Sequence, residues 1–417
     1  MPRTVNLNTH PMREQIVDEM HLRRMPPLPS PCRMLQVVLL VRPEDREREQ
    51  ERVGTLAGRE GHVFPRHGRG RRKSCEWLWE RHSEASTYTL ICHGKGAVFS
   101  PEGFEEELLA WLEQAPGQVV RAVQVVVDED EKVLVPAVSR LEAEDTISVR
   151  NGALGLWSDF RIHEDGWGRL VIASGGTHPA DLGRWVQRVQ ELGNYRNLAL
   201  LTLPLVRSAG ERLDALEARL VDVSRRLARI DGDGTTLEEL SRISAATVAL
   251  DEETGFRRGA MQAYARIVAD RLGELSSEPV EGYQGLEDFI ARRFTPAVRT
   301  CEAFSGRLER LAVSVERSTA LLRTRIDMRL QSQNHVLLTS MRETGARQLR
   351  LQHMVEGLSV VAVSYYVFGL VNIIIKPGVK YVGAQQEMVA AVLLVPIVLV
   401  VWGYLRWRVR RVSSSSA

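Results

Sequence analysis

The chain has 417 residues, 44% hydrophobic and 26% charged, and its 55 Lys and Arg against 53 Asp and Glu leave a formal net charge of +2. That length accommodates two or three domains, and so small a net charge gives no global pull toward nucleic acid. The four cysteines, Cys32, Cys75, Cys92 and Cys301, are scattered without a C-x-x-C pair, which predicts free thiols in a reducing compartment rather than a disulfide framework or a structural zinc site.

In chain order, the N-terminal segment 1–30 is charged and proline-rich and lacks an apolar core of about 7 to 15 residues, so no secretory signal is expected. Within it Glu19 and His21 could form an acid–base or metal pair, but nothing supplies a nucleophile or a third ligand, and packing onto the following domain is the competing reading.

Residues 31–205 mix two periodicities and predict a cytoplasmic α+β or α/β domain. Met34 to Val41, Ser86 to Cys92, Val119 to Val127 and Arg169 to Ser174 read as strands, and a helix is expected from Pro101. Trp79, Glu80, Arg81 and His82 offer an ion pair or ligand set, or else strand and turn residues. The basic run Arg66 to Ser74 suits a phosphate or a solvated loop, and Asp128 to Glu131 suits a divalent cation or a charged hairpin tip. His93 to Gly96 lacks the spacing of a phosphate loop. No constellation makes an enzyme, and no cofactor is implied beyond a candidate divalent cation.

Residues 206–354 predict a helical, coiled-coil-like stalk. Leu213, Leu216, Leu220, Val223, Leu227 and Ile230 alternate steps of 3 and 4, as do Leu308, Leu311, Val315, Ser318 and Leu322, so each set forms one apolar stripe. Between them Thr236 and Glu239 suggest a capping box. Residues 355–406 hold two apolar runs of about 20 residues each, enough to span a bilayer. The link between them opens on the turn signal Pro377-Gly378. Arginines flank both outer ends, Arg342, Arg347 and Arg350 before and Arg406, Arg408, Arg410 and Arg411 after, the last three lying in the basic tail 407–417. The positive-inside rule then predicts a transmembrane hairpin in a bacterial inner membrane, with both termini cytoplasmic and the lipid bilayer as partner.

The segment Asp18, Glu19, Met20, His21, Leu22 and Arg23, with Arg24 where a proline is expected, resembles the N-E-L-H-A-R-P-like start of a bacterial family of uncharacterised membrane-anchored proteins. Trp79 to Leu90, Arg323 to Met341 and Val355 to Val371 resemble further blocks of that family. More remotely, the architecture is similar to CorA-type magnesium channels, in which a Tyr-Gly-Met-Asn motif closes the first span and selects the hydrated cation. Here Tyr366, Gly369 and Asn372 stand without a contiguous Gly-Met-Asn. The resemblance implies a homo-oligomer with these residues at a pore mouth. On the residues alone, Gly369 equally permits close helix packing and Asn372 an interfacial position. Two readings follow: a divalent-cation channel or transporter, and a non-conducting anchored scaffold or sensor.

Overall fold

The runs rich in β-branched residues pair into one sheet. Its strands are β1 (Cys32–Leu40), β2 (His62–Val63), β3 (His67–Arg72), β4 (Cys75–Arg81), β5 (Ala85–His93), β6 (Gln118–Asp128), β7 (Ile147–Asn151), β8 (Leu154–Ser158), β9 (Gly168–Ala173) and β10 (Glu278–Pro279). A computed structural model of the chain describes residues 8–13, 16–17, 25–57, 61–72, 74–96, 98–100, 104–228, 233–382 and 386–413. Among them the sheet has ten strands in the order β10-β7-β8-β9-β6-β1-β5-β4-β3-β2. All four strands expected from sequence are present. The central strand β1 is antiparallel to β5 and to β6, and β6 runs parallel to β9. The fold is α+β.

Pleating sends alternate side chains to opposite faces. On one face Leu35, Val37, Leu39, Trp77, Trp79 and Leu90 pack with Val53 of α1 (Arg46–Ala57) and Leu108 of α2 (Phe104–Leu112). Trp79 is fully buried. At about 25 cal/mol/Å² its burial contributes about 4 to 6 kcal/mol before conformational entropy is subtracted. A second cluster brings Leu134 and Ala137 of α3 (Glu131–Val138) against Trp157 and Val171.

The opposite face is covered by α4 (Pro179–Leu200), which starts with proline at its first position and the His178 side chain accepting from the Ala180 N–H. Next come α5 (Thr202–Ala228), α6 (Asp233–Leu275), α7 (Leu286–Arg293), α8 (Thr295–Val382) and α9 (Gln386–Ser413). The two apolar stripes are buried as expected, with Leu213, Leu216, Leu220 and Val223 on α5 and Leu308, Leu311, Val315 and Leu322 on α8; Ile230 lies outside the described residues. Beside the first stripe, Arg307 pairs with Glu217 at 2.6 Å and with Asp214.

Several expectations are corrected. Arg66 to Ser74 is not a solvated loop, since its core forms β3 in register with β4, and Gly68 and Gly70 leave room for the Trp77 indole; a Cβ on Gly70 would stand 2.6 Å from its Nε1. Asp128 to Glu131 is not a hairpin tip: β6 ends at Asp128, and Asp130 caps α3 by accepting from the Lys132 N–H at 2.9 Å. Thr236 sits inside α6 and does not start it. Cys75 and Cys92 are not free thiols. The β4–β5 register sets them opposite each other, Cα–Cα 4.0 Å, and they form a disulfide; Cys32 and Cys301 are free and buried.

The chain divides into two units, Met1–Thr319 and Ala320–Ala417. The second holds the remainder of α8 together with α9. The turn expected at Pro377 is absent, because α8 continues to Val382. A proline in a helix removes one N–H but keeps a helical φ. Among the described residues one helix, carried by α8, is long and apolar enough to cross a membrane, and the apolar part of α9, Ala391–Tyr404, is shorter.

Leu311 is buried in the first unit. Leu311→Asp places an uncompensated charge there and is expected to cost about 3 to 5 kcal/mol, read as a lowered denaturation midpoint; a variant that melts like the parent refutes the assignment of the stripe.

Candidate functional site

The α4-facing side of the sheet departs from an apolar core. Gln36 interrupts β1 between Met34 and Val38, Thr87 and Thr89 sit beside it on β5, and Arg121 lies opposite Val38 on β6. Gln190 and Asn194, four residues apart, project from α4 onto these groups. A cavity of about 220 Å³ remains, lined by Gln36, Thr87, Thr89, Gln190 and Asn194, and also by Glu80, His82, Glu191 and Arg271.

Arg121 organises this wall. One terminal nitrogen, Nη1, shares its two protons among Gln36 Oε1 at 3.1 Å, Gln190 Oε1 at 2.6 Å and Asn194 Oδ1 at 2.8 Å. A guanidinium only donates, so all three amides must turn their oxygens toward it and their NH2 groups away. The Gln36 amide then donates to Thr89 Oγ1 at 3.1 Å. Gln190 Nε2 is buried without a partner. The flat side of the guanidinium rests on Gly193, where an added Cβ would meet Arg121 Nε at 2.8 Å.

A second guanidinium, Arg196, is buried nearby, with Nε and Nη2 donating to Asn197 Oδ1 at 3.3 and 3.2 Å and its face over the Phe160 ring at 4.5 Å. Among the described residues no carboxylate lies within ion-pair distance of either arginine. Burial, with Arg196 close by, lowers Arg121 to about 9, and burial lowers Arg196 to about 10. Both remain cationic at neutral pH.

The run from Trp79 to His82 is divided by the pleat. Trp79 and Arg81 face α1, where the buried Glu49 carboxylate accepts from Trp79 Nε1 at 3.2 Å, from Tyr88 Oη at 2.8 Å and from Arg81 Nε at 3.3 Å. Burial, and then the Glu49 charge, push the Tyr88 hydroxyl far above its ordinary value. Glu80 and His82 line the cavity instead, with His82 Nε2 3.0 Å from Thr87 Oγ1. Just beyond, Glu84 at the β4–β5 turn accepts from Tyr264 Oη at 2.9 Å and pairs with Arg257, tying the turn to α6.

The pore-mouth candidates occupy a different place. Tyr366, Gly369 and Asn372 follow one another at steps of three along α8; Tyr366 is exposed, Asn372 is half-buried, and a Cβ on Gly369 would meet nothing within 4 Å. Glu19, His21 and Arg23 lie outside the described residues. Among the described residues no three His, Cys, Asp or Glu side chains gather as a metal site. Sequence reasoning missed Gln36, Arg121, Gln190 and Asn194. The available signal was a polar residue, Gln36 in β1 and Arg121 in β6, at a position where the alternation of each strand calls for an apolar one.

These features define an α+β protein with an internal polar cavity and a C-terminal apolar helix. The chain belongs to the family described as protein of unknown function (DUF3422), whose model matches residues 8–412, in accord with the expected family without assigned function. No curated protein matches the chain.

Gly193→Ala is expected to displace the Arg121 guanidinium and destabilise the protein by about 1 to 3 kcal/mol, measured by chemical denaturation. Unchanged stability would show that the guanidinium does not rest on that helix.

Proposed function

We propose that this protein is a membrane-anchored sensor, in which the C-terminal helices insert into a bilayer and hold the α+β unit at its surface without conducting. One observation carries the reading: α8 leaves its apolar segment uncovered, with Val355, Leu358, Val361, Tyr365, Leu370, Ile373 and Ile374 each more than 60% exposed. Apolar surface on that scale is costly in water and stable in lipid. Arginines at both outer ends and the Tyr404–Trp407 ring contact, centroids 6.3 Å apart, suit the cytoplasmic interface of a two-helix hairpin.

The anchor is tested by carbonate extraction of membranes. The full chain is expected to remain in the pellet, and a chain ending at Met354 to leave it; extraction of the full chain refutes the anchor. Topology is read separately with Ser413→Cys, which an impermeant thiol reagent should not label in intact cells.

The placement of Gly369 and Asn372 along an exposed apolar helix favours one second reading, a homo-oligomeric divalent-cation channel of CorA-like architecture. An asparagine amide at a pore mouth would hydrogen-bond the water shell of the ion. In that case Asn372→Leu leaves assembly intact and abolishes divalent-cation flux in liposomes. Parent protein that assembles and carries no flux leaves the sensor.

A further inference from the structure

We propose that α8 pairs with α8 of a second copy of this chain, parallel and in register, along a seam that runs from Leu330 to Leu351. The seam lies wholly within the second unit. It gives the anchored sensor described above a partner, and it stands whether or not the C-terminal helices enter a bilayer.

This part of α8 has nothing packed on it. Every residue in 327–344 is exposed, which is about 27 Å of single helix at 1.5 Å per residue. A lone helix is marginal in water and takes most of its stability from an apolar face laid against a neighbour. α9 does not supply that neighbour, because it has 28 residues and, turned back from the end of α8 at Val382, would not pass Val355. Yet an apolar face exists: Leu330, Leu337, Met341 and Leu351 are each more than half exposed.

Their spacing is that of a coiled coil. Leu330, Leu337, Thr344 and Leu351 recur every seven residues, and Asn334, Met341 and Gln348 recur every seven between them. The steps therefore alternate 4 and 3, with the first set at the d positions of a heptad and the second at the a positions. Thr344 turns its methyl to the seam at no cost in hydrogen bonding, since its hydroxyl donates to the Ser340 carbonyl at 2.9 Å. The charged side chains Arg342, Glu343, Arg347 and Arg350 all fall off the seam, as does the His353–Glu356 pair. Leucine rather than isoleucine at d suits two strands rather than three or four.

The two amides identify the occupant. Against an apolar helix of another protein, or against lipid, Asn334 and Gln348 would be buried beside groups that cannot hydrogen-bond, which is costly. Opposite its own copy, each amide meets an identical group that has an NH2 to donate and an oxygen to accept. An antiparallel pair packs a positions against d positions, which here are leucine at every turn but one. A parallel pair in register sets both amides opposite themselves at once, and polar residues at a fix that register. Copies anchored in one bilayer would already run in the same direction.

The test is cysteine cross-linking of the full chain in detergent micelles, with Leu337→Cys on the seam and Val336→Cys, exposed on an adjoining face, as the control. Under mild oxidation Leu337→Cys is expected to give a disulfide-linked dimer, and Val336→Cys at least tenfold less of it. Leu337→Cys co-expressed with a tagged Leu351→Cys should give no mixed dimer, because pairing in register holds those positions about 21 Å apart. Light scattering should find two copies in each protein–detergent particle. Leu337 is exposed within its own chain, so Leu337→Glu should leave folding unchanged while weakening association at least tenfold. Failure to cross-link at Leu337→Cys, equal cross-linking at the control, a mixed dimer or a mass other than two copies overturns the proposal. A chain that leaves the membrane in carbonate and still cross-links keeps the pairing and loses the anchor; one that stays in the pellet and does not cross-link keeps the anchor and loses the pairing.

Discussion

Burying one guanidinium in the middle of a sheet governs much of the first unit. Arg121 must have acceptors, and its neighbours on the same face of β6 are valines, so they come from the next strand and from the helix above: Gln36, Gln190 and Asn194. The helix in turn must come close enough to deliver them, which requires Gly193 on the turn between the two amides. Position of helix, identity of residue and orientation of amide thus follow from one charge. Two of these hydrogen bonds, those accepted by Gln190 and Asn194 and each worth about 1.5 to 3 kcal/mol, hold α4 in one register against the sheet.

The other face solves the opposite problem. There the apolar layer of Trp77, Trp79 and Leu90 excludes water, and the one acid it contains, Glu49, is saturated by Trp79, Tyr88 and Arg81. The two faces share β4, whose alternate residues serve different clusters. A closed ion cluster and an open cavity are therefore separated only by the thickness of one sheet. In the first the carboxylate is met by donors from three side chains, whereas the second has a donor to spare.

Much of the scaffold could be read from the sequence, because β1, β5, β6 and β9 carry the dense β-branched content that strands favour, and the α5 and α8 stripes keep a strict 3 and 4 spacing. What escaped did so for definite reasons. β3 is made of Arg, Gly and His, residues with little strand preference, and it is fixed by the bulk of Trp77 across the ladder. The disulfide joins Cys75 to Cys92, which only the hairpin register makes neighbours. Gln36 and Arg121 each look like one more polar interruption of a strand; they become a cluster once pairing puts them on one face and α4 is laid over them. The helix through Pro377 shows the limit of a turn signal taken alone.

The sheet ends in two very short strands, β2 with two residues and β10 with two, the second of them Pro279. An exposed strand edge is a template for addition of another chain, with aggregation as the usual outcome. Here each border offers too few free backbone groups to seed a ladder, and the proline removes a donor from one of them. A wide sheet that would otherwise be a hazard during synthesis and crowding is bordered at both sides by brevity, and at one of them by proline as well. Copies of this chain, wherever they meet, are steered away from strand exchange and toward contact through side chains.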